Sequence, residues 1–78
     1  MENIIEWEKR KIDLNAFKQD VIVFVDLYNN LNIMNKQTFN LIKIRRHELD
    51  NNEAFAVENS EGMIISRFMD FDFFIRQL

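Results

Sequence analysis

A chain of 78 residues with 47% apolar content, 13 acidic against 10 basic side chains and no cysteine has room for one domain, 1–78, with a single modest core. Its apolar and aromatic content is too high for disorder, and without thiols it forms neither disulfides nor thiolate metal sites, which fits a cytoplasmic setting. The longest apolar run, Val21 to Val25, falls far short of the ~20 residues of a membrane span, and the Met-Glu-Asn start lacks the features of a secretory signal.

Taken in chain order, residues 2–11 read either as a short helical turn carrying Ile4, Ile5 and Trp7 or as an extended arm. The first strong pattern follows. Leu14, Phe17, Val21, Phe24, Tyr28 and Leu31 are spaced 3-4-3-4-3, which predicts a helix over 14–31 with one apolar face. Asp13 stands at its cap, with Ile12 and Phe17 at the positions of a hydrophobic staple. Against this, Val21-Ile22-Val23-Phe24-Val25 has strand propensity, but the longer periodicity is given the greater weight.

Phe39 to Leu49 reads as a strand or as a helix. The strand is preferred because it joins the next hairpin through Asp50-Asn51-Asn52 and completes a three-stranded meander able to bury a face. That hairpin spans Ala54 to Phe68, with Asn59-Ser60-Glu61-Gly62 as a type I turn. Asp70 then caps a short closing helix in which Phe71, Phe74, Ile75 and Leu78 share a face. The expected fold is therefore α+β, a main N-terminal helix on a three-stranded antiparallel sheet with a short C-terminal helix (α-β-β-β-α).

Charge is unevenly distributed. Leu27 to His47 holds no Asp or Glu, while Lys36, Lys43, Arg45 and Arg46 give it a charge of +4. Residues 1–26 carry six acids against four bases, and residues 48–78 carry seven against two. Such a window either faces an electronegative partner or pairs with the acidic flanks, where each exposed pair adds ~0–1 kcal/mol. Its polar neighbours, Asn35, Gln37, Thr38 and Asn40, are types that contact nucleic acid.

No catalytic signature is present. His47 is the only histidine, and Glu48, Asp50 and Glu53 beside it sit at an expected turn rather than in a convergent ligand set. Asp70-Phe71-Asp72 is better read as helix capping than as a cation site. One glycine cannot build a phosphate loop. Neither metal nor cofactor is expected, and the chain is read as no enzyme.

In the helical reading, Asp26 to Lys43 resembles a helix-turn-helix. With the hairpin as wing and a closing helix, the order over residues 20–78 is similar to that of the small winged-helix excisionases of phages and transposons. That resemblance implies a winged helix-turn-helix that binds DNA through residues 27–47, and no site residue is carried over from it. The pI near 5.0 favours a different reading, since DNA-binding domains run basic.

The preferred function is a small binding protein of a phage or mobile element, an inhibitor or regulator docking on a host protein that itself handles nucleic acid. Ten asparagines and small size are in keeping with such genes. Lys36, Lys43, Arg45 and Arg46 are its candidate basic contacts. Glu58 and Glu61 are carboxylates able to occupy a phosphate-binding groove. Trp7 and Phe73, which fit no predicted apolar stripe, are candidate anchors for the partner or for a second copy in a homodimer.

Overall fold

Two-residue alternation, not helical periodicity, governs the first half of the chain. The computed structural model describes residues 3–78 and consists mainly of strands. β1 (Ile4–Trp7) and β2 (Arg10–Asp13) form a hairpin in register from Ile4↔Asp13 to Trp7↔Arg10. Glu8 and Lys9 at its tip hold φ of 51° and 62°, the left-handed pair that a type I′ turn requires. Asp13 then accepts from the Asn15 N–H at 2.9 Å and caps one 3-10 turn, Leu14–Ala16.

The remaining strands are β3 (Val21–Val25), β4 (Leu31–Asn35), β5 (Leu41–Leu49), β6 (Asn52–Glu58) and β7 (Ile64–Phe68). They form one five-stranded antiparallel sheet in chain order. A seven-residue helix, α1 (Phe71–Gln77), closes the chain, with the Asp70 carboxylate accepting from the Phe73 N–H at 3.0 Å.

The expected α+β fold with a main N-terminal helix is overturned: where that helix was predicted stand a 3-10 turn, β3 and a tight turn into β4. The β-branched run prevails because Val21, Val23 and Val25 can all turn to one sheet face, while Ile22 and Phe24 turn to the other. The apolar stripe is accordingly split, with Phe17 and Leu31 buried and Phe24 and Tyr28 exposed. The winged helix-turn-helix alternative falls with it, because residues 31–35 and 41–49 are strands. Local signals fare better. The meander is present as β5–β7, and Gly62 takes φ 84° in the predicted turn, its N–H donating to the Asn59 carbonyl at 3.0 Å.

One face of the sheet is covered. Val23, Leu31, Ile33, Ile44, Phe55 and Val57 point to it, and the β1–β2 hairpin, Phe17 and α1 lay Trp7, Ile12, Phe71 and Ile75 against them. Towards the β6–β7 side this core is aromatic. Phe55 stacks on Phe68 at 5.2 Å between centroids, Trp7 lies 5.7 Å from Phe55 and 5.5 Å from Phe71, and Phe68 stacks on Phe74 at 4.1 Å. Arg10 closes the cluster, its guanidinium 5.0 Å over Phe55 and 5.4 Å over Phe71, the geometry of a cation over a ring face.

Candidate interaction surface

The opposite face of the sheet carries no covering layer among the described residues. Strand register sets out its rows. Ile22, Met34 and Leu41 form one. Phe24, Asn32, Lys43, Glu58 and Ile64 form the next. Arg45, Ala56 and Arg67 form a third, followed by His47 and Ala54. An open antiparallel face is ordinarily polar. Here the corner over β3–β5 is apolar, with Ile22 and Phe24 exposed and Met34 and Leu41 half-buried.

The turn beside that corner is firmly held. The Asp26 carboxylate accepts from the N–H groups of Tyr28 at 2.9 Å and Asn30 at 3.0 Å, and from the Asn32 amide at 3.0 Å. Asn32 is 1% exposed, so a buried amide fixes the carboxylate that fixes the turn. The Asn30 backbone N–H foremost, and then the Asn32 side chain, hold Asp26 below the usual carboxylate range. This turn presents Leu27, fully exposed, and Tyr28, 85% exposed.

Every cation of the acid-free window has a carboxylate neighbour from outside it. Lys36 lies 3.4 Å from Asp20, Lys43 4.0 Å from Asp26 and Arg45 3.6 Å from Glu58. Arg46 donates to Glu53 at 2.9 Å and lies 3.6 Å from Glu48. These cations do not share a face: Lys43 and Arg45 lie on the open one, Arg46 on the covered one, and Lys36 in the β4–β5 loop. Lys43, Arg45 and His47 thus project from one face of β5, as a strand reading of this segment implies, while Arg46 and Lys36 stand apart from them.

The other candidates are dispersed. Trp7 is 2% exposed and its indole N–H donates to the Asn29 carbonyl at 2.8 Å, which makes it a core residue latching the hairpin to the β3–β4 turn. Phe73 is 57% exposed on α1. Glu58 is half-buried beside Arg45, and Glu61 lies exposed at the β6–β7 turn. Sequence reasoning missed Ile22, Phe24, Leu27, Tyr28, Met34 and Leu41. The signal that finds the first two is strict alternation through a charge-free pentad, read as a strand.

Chemistry at the surface is sparse. Among the described residues no three His, Asp or Glu side chains gather as a metal site. His47 Nε2 is buried and bonded to no partner among the described residues. An open cleft of about 420 Å³ between β2 and α1 has Ile12, Phe71 and Ile75 as its apolar lining and Lys11, Asp13, Asp72 and Arg76 as its charged lining. A smaller one of about 170 Å³ lies near Ile33, Ile42 and Leu78. No helix among the described residues is long and apolar enough to cross a membrane. No family model, curated protein or solved structure matches the chain, and none therefore bears on the expected phage or mobile-element inhibitor.

Proposed function

We propose that this chain is a non-enzymatic binding module that docks on a protein through the open face of its sheet. The observation that carries this reading is the contrast across that surface. Lys43 and Arg45, the cations of the acid-free window on that face, already have carboxylate neighbours, whereas Ile22, Phe24, Met34 and Leu41 have no layer over them. Apolar area of this kind, rimmed by paired charges, suits a protein surface with its own apolar patch and mixed rim. The cysteine-free composition supports a cytoplasmic setting for the encounter.

Photo-cross-linking in a lysate of the source cells tests the reading. A photoreactive phenylalanine analogue at Phe24 should capture one discrete protein, and the same group at Glu61 should not. Leu41→Asp should abolish the capture while circular dichroism remains that of the folded chain. Equal capture from both positions, or capture indifferent to Leu41→Asp, overturns the proposal. So does binding to duplex DNA with a log–log salt slope of roughly −3 to −4, which is the signature of phosphate neutralisation by the four cations.

A further inference from the structure

β3 and β7 are the two edges of the sheet, and they are built differently. Along β7 the register slips between Val57 and Glu58, whose neighbours are Ser66 and Ile64, so Ile65 is left over, and the strand also carries Arg67. A bulge and a charge are what discourage a further strand from pairing. β3 has neither. Its register with β4 is unbroken from Val21↔Asn35 to Val25↔Leu31, and its five residues are all apolar.

The backbone groups on the open side follow from the two ends of the ladder. The Asp26 N–H donates to the Asn30 carbonyl at 3.1 Å, and the Lys36 N–H donates to the Asp20 carbonyl at 3.0 Å. Residues 20, 22, 24 and 26 are therefore those that exchange hydrogen bonds with β4. The N–H and C=O groups of Val21, Val23 and Val25 point the other way, where no strand of the described residues pairs with them. An unpaired row beside an apolar, uncharged strand is a template for strand addition.

We propose that this edge receives a second copy of the chain, β3 antiparallel to β3 about a twofold axis at Val23, joining two five-stranded sheets into one. A twofold contact must be complementary to itself. Val-Ile-Val-Phe-Val meets that demand, since it alternates β-branched and larger apolar residues in the same order from either end. In this register Val21 meets the partner's Val25 and Val23 meets the partner's Val23, so each outward N–H finds an outward C=O. Ile22 meets the partner's Phe24 on the open face, an aromatic and β-branched pair of the kind sheets favour. Asp20 comes to face the partner's Asp26, but each brings its own cation, Lys36 at 3.4 Å and Lys43 at 4.0 Å. The inference shares Ile22 and Phe24 with the docking face but uses the backbone edge and neither Met34 nor Leu41, so Leu41→Asp tells the two apart.

Sedimentation equilibrium and amide exchange test it. The wild-type chain should have twice its 9.5 kDa mass, and the amides of Val21, Val23 and Val25 should gain protection as concentration rises. Ile22→Glu with Phe24→Glu places like charges opposite each other and should halve the mass, as should Ile22→Lys with Phe24→Lys. Mixing the acidic and basic variants should restore the dimer as a heterodimer. Val21→Pro removes one outward N–H at a position where an edge strand tolerates proline, and it too should yield a monomer with the dichroism of the folded chain. Leu41→Asp should leave the dimer intact. A monomeric wild-type chain overturns the proposal, as does a dimer whose β3 amides stay unprotected. A dimer that survives both the acidic pair and Val21→Pro overturns it as well.

Discussion

Phe39 holds φ 62° in the β4–β5 loop and is 71% exposed. A bulky L-residue in the left-handed region carries a cost of roughly 1–2 kcal/mol, and here no core contact offsets it. Local hydrogen bonds enforce the conformation: the Asn35 carboxamide oxygen accepts from the N–H groups of Gln37 at 2.8 Å and Thr38 at 3.0 Å, and the Phe39 N–H donates to the Asn35 carbonyl at 2.9 Å. Phe39→Gly should therefore raise stability by about 1 kcal/mol, read as a higher urea midpoint at unchanged slope. A lower midpoint would mean that the ring makes a stabilising contact. Residues whose role is local were legible from sequence. Asn59, Gly62 and Asp70 act within four residues of themselves, as turn and cap chemistry does. Trp7 was not legible, because the groups that bury it, Asn29, Phe55 and Phe71, stand far along the chain.

At the scale of elements, the last three strands and the closing helix were readable, whereas the first half of the sheet was not. Leu14 to Leu31 satisfied a helical period by coincidence, since Phe17 and Leu31 serve the core from different elements while Tyr28 faces solvent. A strand of five residues offers too few positions for its alternation to compete with an eighteen-residue pattern, yet its β-branched content won. The β1–β2 hairpin shows how a small element is held in place. Arg10 forms a salt bridge with Glu53, which also accepts from Arg46, so one carboxylate joins β2, β5 and β6. A double-mutant cycle of Arg10→Ala and Glu53→Ala should give a coupling of about 1 kcal/mol, the upper end for pairs that keep some exposure. Arg10→Ala alone should cost more than that coupling, since it also uncovers Phe55 and Phe71. Additive single costs would remove the clasp from the account.

At the scale of the molecule, the +4 window and its acidic flanks resolve into short-range pairs, so net charge spoke about association and was silent on fold. The pairing has a consequence in acid. Hydrogen bonds from Arg10, and then Arg46, hold Glu53 below the usual carboxylate range, as the Asn30 N–H and Asn32 do for Asp26. A folded pKa below the unfolded one means that the unfolded chain binds more protons as pH falls. Both groups thus contribute stability that is complete above the ordinary carboxylate range and lost as pH drops through their lowered folded values. Urea midpoints should be flat near neutrality and decline below about pH 4, and Glu53→Gln should flatten that decline. An unchanged acid limb in Glu53→Gln would place its origin elsewhere.

Strand order in the sheet repeats strand order in the chain, so as the polypeptide leaves the ribosome each hairpin can zip onto the one before it. Trp7, made before any strand of the five-stranded sheet, nonetheless waits for Phe71, made after all of them, before its ring is enclosed. Assembly by short steps therefore ends in a single long-range closure, and a nascent chain arrested before α1 would display its indole to any chaperone that passes.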